Sequence, residues 1–173
     1  GGRVLLDGED ILRMNRAAIR QVRGARVCYV SQSAAAGFNP AHRLGAQVIE
    51  ATVRHKLMSR ADAEKRAAHL FSILGLPDPE TFGNRYPHQV SGGQLQRAMT
   101  AMAMCPEPEL SVFDEPTTAL DVTIQAQILE LLEDLKTRLD MSLLLITHDL
   151  SIVRKMADDV CVMKHGKLVE QEQ

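Results

Sequence analysis

An apolar strand that ends in two adjacent carboxylates, Val112-Phe113-Asp114-Glu115-Pro116, is the first place in this sequence where chemistry could sit. In open parallel sheets, ligands bind just beyond the C-terminal edge of the strands. One carboxylate there can hold Mg²⁺, usually through water, because that ion takes hard oxygen ligands. The next can orient and deprotonate an attacking water. A solvated turn would leave the same letters, so the pair needs company. Val90-Ser91-Gly92-Gly93-Gln94-Leu95-Gln96-Arg97 reads as a helix start. Its glycines allow close backbone approach, and its free N–H groups and positive dipole end suit an anion. A capped helix with a flexible entry is the plain alternative. His148, in Leu145-Ile146-Thr147-His148-Asp149, stands at the end of another apolar strand, where its ring could donate to a phosphate oxygen. Gln32 ends a third strand before a Gly-bearing loop, and its amide could contact Mg²⁺ or water.

The elements that must position these groups follow from pattern. Residues 3–6 read as a strand closed by a turn at Asp7-Gly8, and residues 16–23 as a short Arg-rich helix. Val27 to Ser31 reads as a strand, and Ser33 to Pro40 as a loop. From about residue 43 to 75 the spacing turns helical, with Leu44, Val48 and Ala51 on one face and then Ala63, Ala67, Leu70, Phe71 and Leu74. Ser59, with Asp62 three residues on, marks the second helix start, and Gly75 its end. A helix from Ser91-Gly92-Gly93 to Met104, a strand over Leu110–Phe113 and a long amphipathic helix over Asp121–Leu139 come next. Ile124, Ile128, Leu131, Leu135 and Leu139 share one face of that long helix. Ser142–Ile146 reads as a strand, Leu150–Ala157 as a helix, and Val160–Met163 and Lys167–Glu170 as two strands joined across Lys164-His165-Gly166. Short apolar strands alternating with helices predict a parallel sheet covered on both faces. The mostly helical stretch 33–104 interrupts that alternation and is expected to form its own lobe.

Composition bounds the reading. The chain has 173 residues, enough for one domain with a full core. A net charge of -2 gives no bulk attraction to nucleic acid or lipid, and an aromatic content of 3% without Trp argues against base-stacking platforms. Cys28, Cys105 and Cys161 are widely spaced in apolar runs, as expected of buried, reduced thiols. No apolar run approaches the roughly 18 residues of a membrane-spanning helix, and the N-terminus has no signal-peptide shape.

Taken together and in order, these features resemble the ATP-binding subunits of ABC transporters. Gln32 resembles the Q-loop glutamine, and Ser91-Gly92-Gly93-Gln94 the signature motif, with Val90 where Leu is usual. Asp114 and Glu115 resemble Walker B and its catalytic glutamate, although Ser111 is an unusually polar member of that strand. Ala119-Leu120-Asp121 resembles the D-loop, and His148 the switch histidine. Phe38-Asn39-Pro40, Tyr86-Pro87-His88-Gln89 and the run Thr117 to Gln127 look like the peptide, dipeptide and nickel importer branch. Ser33-Ala34-Ala35-Ala36-Gly37 departs from it, where relatives carry Asp-Pro and more polar residues.

The resemblance implies an α/β fold of the P-loop NTPase type, with a core from residues 1–32 and 105–173 and a helical subdomain from 33–104. It implies catalytic Glu115, His148 and Gln32, and metal contacts from Asp114 and Gln32. Nucleotide contacts are implied for Ser91, Gly92, Gly93, Gln94 and Asp121. The cofactors implied are ATP and Mg²⁺. The implied partners are a second ATPase subunit, identical or not, membrane permeases and, indirectly, a solute-binding protein, with no nucleic acid. The implied place is the cytoplasmic face of the cell membrane, powering import of peptides or a related solute. A DNA-repair or chromosome-type ATPase is the alternative, but the interval from Gln32 to Ser91 has no sustained heptads. A non-catalytic cassette is the other, against which Asp114, Glu115 and His148 stand intact.

No stretch matches G-x-x-x-x-G-K-[ST]; the only Gly-Lys pair is Gly166-Lys167, followed by Leu168. Without that phosphate cradle, this chain alone is expected to be inactive, with a sheet edge and apolar surface left uncovered. It reads as a partial chain of a longer, active protein.

Overall fold

Three short apolar strands in parallel pairing bring the ends of distant segments side by side. The computed structural model describes residues 2–116, 122–139 and 141–172. The chain opens with a hairpin, β1 (Leu5–Leu6) and β2 (Glu9–Asp10), paired antiparallel. Asp7 (φ 50°) and Gly8 (φ 82°) form its turn, and two successive positive φ angles match the twist of flanking strands. A short 3₁₀ turn leads to α1 (Arg16–Val22), whose N-cap Asn15 accepts from the N–H groups of Ala17 and Ala18.

β3 (Val27–Val30) is followed by α2 (Ala34–Gly37), α3 (Leu44–Val48), α4 (Glu50–Arg54), α5 (Arg60–Ile73), α6 (Pro79–Phe82) and α7 (Gly92–Met104). The stretch expected as a loop over Ser33–Pro40 thus contains one helical turn, α2. Its alanines lack the polar side chains that would compete with helical bonds. On α4 the fully buried residue is Thr52 and not Ala51, because α3 and α4 are separate helices and the register is reset between them. Ser59 caps α5 by accepting from Asp62 N–H, and Gly75, at φ 61°, follows its last turn. Gly45 and Gly83 meet backbone to backbone: Gly45 N–H donates to Gly83 C=O at 2.8 Å, and a Cβ on Gly45 would lie 3.0 Å from Gly83 Cα.

β4 (Leu110–Asp114), α8 (Val122–Leu139), β5 (Ser142–Ile146), α9 (Leu150–Met156), β6 (Val160–Lys164) and β7 (Lys167–Glu172) complete the order. The parallel sheet runs β3-β4-β5, with Tyr29 opposite Val112, Val112 opposite Leu144, and Asp114 opposite Ile146. Each parallel step needs a long crossover. The helices α2–α7 supply the first and α8 the second.

Side chains alternate across a strand, so the sheet has two distinct faces. Cys28, Val30, Ser111 and Phe113 point into a core cluster with Leu44, Phe71, Met99 and, from α8, Ile128 and Leu132. Of the stripe expected on α8, Ile128 is buried; the side chains of Ile124, Leu131, Leu135 and Leu139 lie outside the described residues. The opposite face is bare among the described residues. Tyr29 is 57% exposed, Leu144 52% and Ile146 46%. The expectation of uncovered apolar surface on this chain is met. A correction concerns the last two strands: joined across Lys164-His165-Gly166 as expected, they pair antiparallel in a two-stranded sheet of their own and do not extend the parallel one. The reason is local: His165 (φ 51°) and Gly166 (φ 75°) form a two-residue hairpin turn. That hairpin exposes Met163, Leu168 and Val169.

Cys28 and Cys105 are buried, but Cys161, on the hairpin, is exposed, against the expectation for all three. Burial pushes the Cys28 thiol up to about 12, which keeps it protonated and inert.

Candidate functional site

Because β3, β4 and β5 run parallel and in register, the residues that follow their C-terminal ends converge. Glu115 is the centre. Its backbone N–H donates to Ile146 C=O at 2.9 Å, which extends the β4–β5 ladder by one bond. At the same residue the backbone turns into the left-handed region, at φ 49°. A non-glycine residue held there costs of order 1–3 kcal/mol, a cost usually found at ligand sites. Gln32 Nε2 donates to Glu115 Oε2 at 2.9 Å, and His148 Nδ1 lies 2.9 Å from Glu115 Oε1. The Glu115 side chain is 26% exposed and the His148 side chain 78%. A half-buried carboxylate is thus held by groups from the two neighbouring strands, one of them open to solvent.

Asp114, the last residue of β4, faces the bare side of the sheet. Its Oδ2 accepts from the Tyr29 hydroxyl at 2.7 Å. That bond, aided by desolvation, pushes the Tyr29 hydroxyl above its ordinary range. Asp114 Oδ1 takes no hydrogen bond among the described residues. Those residues hold no group of three or more His, Cys, Asp or Glu side chains that could cage a metal. One carboxylate with a free oxygen fits a metal such as Mg²⁺, which keeps waters and draws its remaining ligands from substrate phosphates. With Gln32 Nε2 committed to Glu115, its Oε1 is the atom that could serve as a metal ligand.

The segment after His148 is fixed from below. Asp149 caps α9, accepting from Ser151 N–H at 2.8 Å and from the Ser151 hydroxyl at 2.6 Å. These bonds hold the Asp149 carboxyl below the usual carboxylate range. Gln125 of α8 donates to Asp149 Oδ2 at 3.2 Å, and Asp149 N–H donates to Thr147 Oγ1 at 3.1 Å.

Ser91, Gly92, Gly93 and Gln94 form a separate place, the start of α7. Ser91 Oγ accepts from Gln94 N–H at 3.2 Å, while Gln94 Oε1 accepts from Ser91 N–H at 3.0 Å, a reciprocal capping box. Among the described residues the Ser91 and Gln94 side chains bond only to each other's backbone, so they do not join the Glu115 cluster. A hydroxyl that accepts in this way still has its proton to donate outward. Nothing lies within 4 Å of where a Cβ on Gly92 would stand, so the helix start is open. Arg97 fixes it from the far side, donating to Gly93 C=O at 3.2 Å, Leu74 C=O at 3.0 Å and Gly75 C=O at 2.8 Å. Asp121 lies outside the described residues.

The structure therefore brings Gln32, Glu115 and His148 together, sets Asp114 beside them, and keeps the helix start apart. Tyr29 was missed in the sequence. It sits three residues before Gln32 with no motif around it, and only the β3–β4 register puts it on the Asp114 face.

A sequence profile described as "ABC transporter" matches residues 1–118. The peptidoglycan transport ATP-binding protein YejF of Agrobacterium fabrum is 50% identical over 98% of this chain and 31% of its own length. The dipeptide transport ATP-binding protein DppD of Bacillus subtilis is 46% identical over 98% of this chain and 50% of its own length. The chain thus spans half or less of the length of these two curated relatives. Among solved structures, the ATP-binding cassette MJ0796, dimeric and bound to ADP and Pi in a post-hydrolysis state, superposes with a TM-score of 0.89. It is 25% identical, over 100% of this chain and 73% of that one.

Proposed function

The chain belongs to the ABC transporter family, and from that premise we propose that it is the hydrolytic portion of an ATP-driven importer subunit for peptides or a related solute. The observation that carries this reading is the Glu115 carboxylate, held at the C-terminal edge of a parallel sheet between Gln32 and His148. A carboxylate so placed accepts a proton from water as the water attacks a phosphorus atom. His148, on its exposed side, orients that carboxylate and can donate to phosphate oxygen. Gln32 links the carboxylate to β3 and so to the helical stretch that follows it.

Mg²⁺ at Asp114, with Gln32 Oε1 as a second oxygen, supplies charge neutralisation for the phosphates when bound. The open α7 start, with Ser91, Gly92, Gly93 and Gln94, serves a phosphate held by a second cassette. Its separation from Glu115 and the dimeric state of the solved relative support that reading. Asp121 is proposed to act at the same junction. Residues 33–104 act as the helical lobe and 1–32 with 105–173 as the core.

A membrane permease is the partner proposed for the space between them. A cleft of about 440 Å³ lies there, with Arg16, Arg20 and Arg23 of α1 facing Arg54 and His55. Only Glu50, 4.0 Å from Arg54, offsets that charge in the cleft, which suits an acidic segment. No described helix is long and apolar enough to cross a membrane, so attachment at the cytoplasmic face through such a partner is proposed. The names of the relatives, dipeptide and peptidoglycan transport, support a peptide-type solute.

The test is Glu115→Gln in the intact gene product. Turnover of ATP falls by about 10²-fold or more while ATP binding persists. Undiminished hydrolysis sinks the assignment.

A further inference from the structure

We propose that Tyr29 is a positioning residue for the Walker B carboxylate: its hydroxyl, bonded to Asp114 Oδ2, holds the group so that Oδ1 stays free for the metal. This rests on the ATPase reading above and deepens it.

The geometry begins in the register. Tyr29 of β3 pairs with Val112 of β4, and Asp114 lies two residues further along β4. A step of two returns to the same face, so the phenol and the carboxylate share the bare side of the sheet. The ring spans the diagonal between neighbouring strands and its hydroxyl reaches Oδ2 at 2.7 Å. A shorter side chain at residue 29 would end at the strand surface. The two carboxylates of the site are therefore oriented independently. Glu115 is held by Gln32 and His148, whereas Asp114 has Tyr29 as the donor shown to it among the described residues.

The bond acts through the phenol hydroxyl, which reaches Asp114 Oδ2 and no other described group. A carboxylate that ligates a metal through one oxygen keeps two rotatable bonds, and a donor on the other oxygen removes that freedom before the metal arrives. Outer partners of this kind typically change metal affinity or activity by 10–100-fold when removed. Loss of this single donor is expected at the lower end of that range, roughly tenfold.

The experiment is Tyr29→Phe in the intact gene product, which keeps the ring and removes only the donor. Mn²⁺ affinity is read by electron paramagnetic resonance, alone and with a non-hydrolysable ATP analogue, and ATPase rate is followed against free Mg²⁺. The expected result is a roughly tenfold weaker Mn²⁺ affinity and the same rise in half-saturating Mg²⁺, with KM for ATP at saturating Mg²⁺ unchanged. Unchanged Mn²⁺ affinity overturns the proposal, and so does a lowered melting temperature without any shift in metal dependence. If the unaltered protein hydrolyses no ATP, the functional reading fails, while the Mn²⁺ titration still decides the role of Tyr29.

Discussion

The Glu115 cluster and the start of α7 are built on opposite principles. The first draws Gln32, Glu115 and His148 from three strands, with partners separated by 83 and 33 positions in the chain. It exists only if the sheet pairs in the right register. The second is local: Ser91 and Gln94 satisfy one another across three residues and form wherever the helix forms. A site assembled from strand ends can concentrate polar groups around one atom, but its parts contribute little to stability. A capped helix start stabilises its own element and offers its remaining donors outward.

Three substitutions break or sharpen that contrast, beginning with the largest effect. His148→Ala removes one of the two groups shown on Glu115. ATP turnover in the intact gene product is expected to fall by about 10²-fold, with no change in melting temperature, because the His148 side chain is 78% exposed. A lowered melting temperature would show that the cluster also supports the fold. Ser91→Ala tests the other region, and denaturant unfolding should report a loss of about 1 kcal/mol for the missing cap. Ser91→Asp caps about as well, so stability returns; if the α7 start meets phosphate, its ATP turnover is abolished all the same, since the new charge repels that ligand. Normal turnover in Ser91→Asp would make this helix start structural only.

The smallest effect is a pH dependence. Asp149 is held below the usual carboxylate range by Ser151 and Gln125, so its folded value lies below its unfolded one. Its stabilisation is then complete above the unfolded value, near pH 4, and is lost as pH falls through the folded value. Asp149→Asn should lower the melting temperature slightly at neutral pH, and the gap to the unaltered protein should close in acid. A gap that widened in acid would reverse the sign and reject the account.

Much of this was legible from residue order, and each success has a local cause. The limits of α7 follow from Ser91 and Gln94, those of β4 and β5 from short apolar runs, and the α5 cap from Ser59. The failures share a cause too. The two strands over residues 160–170 and their Lys164-His165-Gly166 connection were legible, but not that they form a sheet apart from the parallel one. Cys161 stands in an apolar run that predicts burial and is exposed with that hairpin. Tyr29 belongs to no recognised pattern, because its role depends on what lies diagonally across a neighbouring strand.

Sequence alone determined which chemical groups this protein has and where its elements start, since caps, turns and periodicity act over a few residues. It also carried the family, through motifs whose order along the chain is itself the signal. Tertiary structure alone decided which groups meet. It bound both oxygens of Glu115, put Tyr29 on Asp114, and kept Ser91 and Gln94 apart from them. The physical reason is register: a shift of one residue between β3 and β4 would carry Tyr29 to the other face, and no local propensity encodes that choice.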